Sequence, residues 1–224
     1  MKHAKRHPLI FGTIILTATG LITRVIGFFY RIYLSRLFGE EGMGIYQLLS
    51  PALSLSFSLT AAGYQTAISK YVAADSAKRP SGNLKPLLAG ISITLPLSLV
   101  TNAILFFSAD PIGIFLLKDH RTVPMLRILS FSVPFAALHA CINGYFYGKK
   151  KASVPALTQL LEQLARVSCV FLVTGADLSE GRTPSINAAV LGLTVGEIFS
   201  ILIALVCLYI HLYPDSSILS LQNI

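Results

Sequence analysis

Six apolar runs, each near or above twenty residues, leave this chain few ways to fold. They lie near 9–35, 44–74, 86–108, 124–147, 153–175 and 185–212. About 20 apolar residues in a helix cross the hydrocarbon core of a bilayer, because a helix satisfies its own backbone where no water can. Hydrophobic residues make up 54% of the chain and charged residues 12%, against about 25% charged in a soluble domain. The expectation is an all-α polytopic membrane bundle of six transmembrane helices. The second run is long enough to tilt or to extend past the bilayer. The opening MKHAKRHPLIFGTIILTATG has the basic start and apolar core of a signal peptide. Its apolar run outlasts the roughly 7–15 residues of a signal core, so it reads as a retained first span. Residues 1–8 precede that span, and 213–224 form a tail that begins no seventh one.

The connections sort by charge. The N-terminus (Lys2, Lys5, Arg6), the loop after the second run (Lys78, Arg79, Lys85) and the loop after the fourth (Lys149, Lys150, Lys151) hold nine Lys/Arg. The alternate connections hold four: Arg36, Lys118, Arg121 and Arg182. The excess of Lys/Arg marks the cytoplasmic side, which places both termini there. The net charge of +8 therefore reads as topology control. Nucleic acid is not an expected partner, since no basic helix, zinc spacing or aromatic-basic strand accompanies the charge. Cys141, Cys169 and Cys207 all fall inside apolar runs without a short spacing, which excludes a CxxC metal or redox motif and leaves small packing residues. Pro51 and Pro134 sit well inside their runs, where proline is either a kink or an ordinary membrane-helix residue.

Polar residues inside the runs fall on faces. Thr13, Thr17, Gly20, Arg24, Gly27, Arg31 and Ser35 recur at spacings of 4, 3, 4, 3, 4 and 4, one side of a helix. An arginine at mid-membrane costs about 2.5–3.5 kcal/mol on insertion scales. The offset comes from water, a partner charge or an anionic ligand, or, for Arg31 nearer the outer end, from reaching the headgroups. Gln47, Ser50, Ser54, Ser58, Ala61, Gln65 and Ser69 make a similar stripe in the second run, fit for close helix packing or for a water-lined wall. In the fifth run Gln159, Glu162, Gln163 and Arg166 share a face. Glu162 precedes Arg166 by four, the favoured order for a helical ion pair. That pair either holds the helix in its bundle or belongs to a cationic cavity with Glu162 tuning it. Glu197 is an isolated acid in the sixth run, open to three readings: a proton or sodium site, a partner of Arg24, or a partner of Arg166. His139 and Asn143 lie one turn apart in the fourth, and a lone histidine there reads as a hydrogen-bonded interior residue. No Gly-rich phosphate loop, HExxH, GxSxG or paired-acid cluster is present. An enzyme, a cofactor and a metal are therefore not expected, and polar inner faces on a bundle point to transport.

The motifs also carry a resemblance. TRVIGF at Thr23–Phe28 with SRLFG at Ser35–Gly39 resembles the first helix of the lipid II flippases, members of the multidrug/oligosaccharidyl-lipid/polysaccharide (MOP) flippase superfamily. GEEGMGIYQLLSP at Gly39–Pro51, AAGYQTAISKYVA at Ala61–Ala73 and LEQLARV at Leu161–Val167 are similar to its stage V sporulation protein B branch. The resemblance implies a bacterial cytoplasmic-membrane flippase of MATE/MOP-like two-lobe architecture. It implies alternating access and a polyprenyl-pyrophosphate-linked oligosaccharide or cell-wall precursor as cargo. Arg24 matches a cavity arginine of the family, whereas lipid II flippases proper often place an acid at the position of Arg31. Members carry two six-span lobes, and this sequence supplies the N-terminal lobe. The expectations are a truncated product, one half of a split transporter, or a homodimer of lobes. The expected substrate-binding residues are Arg24, Arg31, Arg166, Gln47 and Gln159, with Glu162 and Glu197 pairing charge or coupling an ion. Two alternatives stand beside this. One is a cation-coupled multidrug exporter of the same superfamily, which would favour acids over the arginines found here. The other is a non-transporting membrane remnant or scaffold. A membrane glycosyltransferase lacks the acidic cluster it would need.

Overall fold

The computed structural model describes residues 8–78 and 84–213. The expected N-terminal segment (but for Pro8) and tail (but for Tyr213) lie outside the described residues. The chain forms α1 (Pro8–Leu48), α2 (Ser50–Phe57), a π-helical segment (Ser58–Ala62) and α3 (Gly63–Lys78). After these come α4 (Lys85–Phe107), a short α5 (Ala109–Pro111), a second π segment (Ile112–Leu116), α6 (Thr122–Gly148), α7 (Ser153–Ser179) and α8 (Asn187–Leu212). No strand occurs among the described residues. Four of these helices are each long and apolar enough to cross a membrane, and so is the run Gly12–Ser76. At 65 residues that run would extend about 100 Å if straight, some three times the hydrocarbon thickness. It breaks at Gly39, whose φ of 70° and ψ of −176° are outside the helical region. A side chain would be strained there. Two crossings thus come from this one run, and the described residues form a multi-pass, all-α membrane bundle of six.

The up-and-down order shows in which ends meet. At one end a Cβ on Gly12 of α1 would lie 3.3 Å from Ala152, in the α6–α7 turn. At that turn the Lys151 Nζ contacts His211 Nδ1 near the end of α8 at 2.9 Å. At the other end Glu41, just past the Gly39 break, pairs with Arg121 before α6 at 2.7 Å.

α6 is the central helix. Its Met125, Leu126, Leu129, Ile142, Tyr145 and Phe146 are fully enclosed, packed by α3, α4 and α8. In lipid, packing and close backbone approach hold helices together, because a neighbouring acyl chain is as apolar as leucine. Gly144 and Gly148 of α6 supply that approach: a Cβ at Gly144 would lie 2.6 Å from the Gln65 carbonyl oxygen, and one at Gly148 2.7 Å from that of Ser69. Pro134 lies inside α6, whose helix continues through it. Pro51 instead begins α2, after a turn at Leu49.

The π segment re-phases the second crossing. Ser56 before it and Thr60 within it face inward on one phase; Ala61 near its end, with Ile68 and Val72 after it, face inward on the next. The inward phase jumps by one residue, as an inserted i→i+5 turn requires. The stripe from Gln47 to Ser69 is therefore split. Gln47, Ser50, Ser54 and Ser58 are exposed, Ala61 is buried, and Gln65 and Ser69 are half-buried.

Candidate functional site

The polar residues singled out by spacing fall in two places. The first is an open cavity of about 560 Å³ between the Gly39 end of α1, the start of α2, α6 and α8. Arg31, Gln47 and Ser50 are its polar wall, against Leu129, Val190 and Leu193. α1 leans on α7 through Tyr30, Leu34 and Val170. Tyr33 bonds Thr174 at 2.7 Å and stacks on Phe171 at a centroid distance of 4.1 Å. That contact turns the stripe of Arg24 and Arg31 to the flank of the α1–α7 seam. Both arginines are exposed, and neither has an acidic partner among the described residues. Arg24 stands two turns from Arg31 on nearly the same face.

The second place lies among the second crossing, α6, α7 and α8. Gln159 and Glu162 of α7, Glu197 of α8, His139 and Asn143 of α6 and Gln65 of α3 line a cavity of about 240 Å³. Arg166 donates to Glu162 one turn away, both side chains largely buried. The His139 side chain is 9% exposed. Its Nε2 lies 2.8 Å from Asn143 Nδ2, 2.9 Å from Ser200 Oγ and 3.1 Å from Thr158 Oγ. With the Asn143 amide nitrogen donating, Nε2 accepts, an arrangement that fits the tautomer with the ring proton on Nδ1. Nδ1 faces Glu197, 3.6 Å from Oε2. That oxygen is buried and accepts no hydrogen bond. His139, Glu162 and Glu197 present donor atoms all within 4.8 Å of one another.

This constellation exists because α8 docks on α7 backbone to backbone. A Cβ on Gly192 would lie 2.9 Å from the Arg166 carbonyl oxygen, and one on Gly196 3.1 Å from that of Glu162. Glu197, next in the chain, is thereby carried to the ion pair. Spacing alone placed Glu162 with Arg166 and left Glu197 open. It read His139 as an interior residue, and the structure makes that residue the hub. Two small-xxx-small pairs, Gly144/Gly148 and Gly192/Gly196, are the signal that marks both seams, since only glycine lets helix axes approach so closely. Arg24, Arg31 and Gln47 are thus separated from Gln159, Glu162, Arg166 and Glu197.

The sequence matches the family described as polysaccharide biosynthesis protein over residues 9–224. It is 36% identical to stage V sporulation protein B of Bacillus subtilis (strain 168) over 197 residues, 88% of this chain and 38% of that protein. It is 27% identical to the lipid II flippase MurJ of the same organism over 179 residues, 76% of this chain and 32% of that protein. A third relative, the sporulation protein YkvU of that organism, is 25% identical over 162 residues, 72% of this chain and 35% of its own length. The chain spans about a third of the length of the curated relatives it matches.

Proposed function

The chain belongs to the polysaccharide biosynthesis protein family, and from that premise we propose that it forms one six-helix lobe of a membrane flippase. The cargo is a polyprenyl-pyrophosphate-linked oligosaccharide or cell-wall precursor, moved across the cytoplasmic membrane by alternating access. The observation that carries this reading is the pair of α1 arginines: exposed, on one face, one of them lining an open cavity, and without an acid to neutralise them. A guanidinium binds a phosphate through two parallel hydrogen bonds. Arg24 and Arg31, two turns apart, suit a pyrophosphate passing along α1, with Gln47 offering its amide beside Arg31. The prenyl tail stays in lipid, so only the headgroup needs a polar path and no covalent step occurs. Gln159 and the Glu162–Arg166 pair form the second polar station, where Arg166 is already compensated. A second six-helix unit of like architecture supplies the facing wall, as a further lobe or a second copy.

The lysine-bearing α6–α7 turn gathers the start of α1 and the end of α8 at one end, which supports cytoplasmic termini. The test is transport of a fluorescent polyprenyl-pyrophosphate sugar in vesicles holding the full chain. Arg24→Ala is expected to abolish most of the transport, and Arg24→Lys to restore part of it. Unchanged transport in Arg24→Ala would remove the arginine from the path. Exclusive transport of hydrophobic cations would move the protein to the drug-exporter class.

A further inference from the structure

The second cluster carries an inference of its own. We propose that His139 and Glu197 form a membrane-buried binding site for a single proton, with the Glu162–Arg166 pair as its fixed electrostatic floor. Glu162 and Arg166 cancel. Counted with both carboxylates ionised, the cluster carries one negative charge in excess, and the Glu197 Oε2 is buried without a hydrogen-bond partner. One monovalent cation makes the cluster neutral, whereas a divalent metal leaves one positive charge in excess. Buried uncompensated charge of either sign is strongly disfavoured.

Between a proton and a sodium ion, the surroundings favour the proton. A hard cation takes a shell of oxygens, but the group facing Oε2 is an imidazole nitrogen at 3.6 Å. The shell around the ring can also reverse its polarity. Ser200 and Thr158 hydroxyls donate or accept, and Asn143 presents either end of its amide. With the site empty, Asn143 donates to Nε2 and Nδ1–H faces the carboxylate. When a proton adds, it bonds to the Nε2 lone pair and completes the imidazolium, the hydroxyls and the Asn143 amide oxygen turn to accept from Nε2, and Nδ1–H stays toward the Glu197 carboxylate. No other bond forms or breaks.

The groups facing the pair are few. Arg166, Glu162 and Gln159 come from α7, Asn143 and Tyr147 from α6, and Phe57 and Gln65 from the second crossing. The cavity they line reaches the site from one side and gives the proton an entry. Because α6, α7 and α8 meet here through charged groups, occupancy of this site biases how the three helices pack. Its use as the step that resets transport rests on the flippase reading; the binding of the proton does not.

The experiment is a pH titration of the full chain, labelled with ¹⁵N-histidine in lipid nanodiscs, with the His139 signal assigned by its loss in His139→Gln. The expected result is that Glu197→Gln moves the His139 midpoint to lower pH by about one unit or more, a tenfold loss of proton affinity. The double variant Glu162→Gln/Arg166→Gln, which removes a neutral pair, moves it less. Exchanging potassium for sodium leaves it in place. A midpoint that ignores Glu197→Gln overturns the site, and a sodium-dependent midpoint makes it a sodium site instead. Ser200→Ala keeps both titrating groups; a midpoint it preserves supports the pair even if Glu197→Gln fails to fold, and one it abolishes assigns the effect to the hydroxyl network. Vesicle transport then separates the two claims. Titration without any transport leaves the proton site standing and refutes the flippase. Transport whose rate ignores both pH and Glu197→Gln refutes the coupling role.

Discussion

α1 and α7 both carry arginine into the membrane, and they handle it oppositely. On α7, Arg166 is largely buried and is closed off by Glu162 one turn earlier. On α1, Arg24 and Arg31 are exposed and have no acid among the described residues. The pair on α7 is a structural expense settled inside one helix, and α8 is packed against it through Gly192 and Gly196. The pair on α1 is an electrostatic debt left open on the wall of a cavity. A cation neutralised in place has nothing to offer an anionic headgroup, whereas an unneutralised one is complementary to it. On the proposed function, the contrast fits a structural role for the α7 pair and recognition for the α1 pair, although both helices bear the same residue type.

The largest expected effect falls on α7. Glu162→Gln strands Arg166 and is expected to destabilise the bundle by about 3–5 kcal/mol, the usual penalty for breaking a buried pair from one side. Thermal unfolding in detergent measures it. Adding Arg166→Met should recover most of the loss, and failure to recover would mean that Arg166 has a second partner. Arg24→Ala comes next and should behave in the opposite way. Its transport falls by at least tenfold, as expected from about 1.5–3 kcal/mol for a hydrogen bond to a charged group, while its unfolding temperature stays unchanged. A matching fall in stability would erase the distinction between the two helices.

Gly196→Ala is expected to cost about 1–3 kcal/mol, because its new methyl meets the Glu162 carbonyl and the helices must part to admit it. Disulfide trapping between cysteines introduced on α7 and α8 would report the opening. The smallest effect lies outside the membrane, where Arg121 ties Asp119 and Glu41 together. Hydrogen bonds from Arg121 hold the Asp119 carboxyl below its ordinary value. With the folded value depressed, the contribution is present above the unfolded carboxylate pKa and is lost as pH falls through the folded one. The pair is exposed and solvent-screened, so the change is small. It is measured as a drop in unfolding temperature between neutral and acidic pH that Asp119→Asn removes.

Much of this was legible without coordinates, for a local reason. A helix repeats every 3.6 residues, so Arg24 with Arg31 and Glu162 with Arg166 are neighbours by counting alone. The regular count failed at the second crossing, where the π segment shifts the inward face by one residue between Thr60 and Ala61. No feature of the SLTAA segment announces that extra turn. His139 was legible only as a polar residue, because its partners Thr158, Glu197 and Ser200 come from two other helices.

The sequence by itself determined that the chain crosses the membrane, how many times it does so, and that its first helix carries a cationic face. Apolar length and helical period are properties of single segments, and lipid enforces them one segment at a time. The tertiary structure alone decided that Glu197 meets His139 and not Arg24, and that the polar residues divide between two separate cavities. Those outcomes depend on how closely helices approach and at which rotation. Glycine pairs at two seams and one π turn set that geometry, and no period within a single helix contains it.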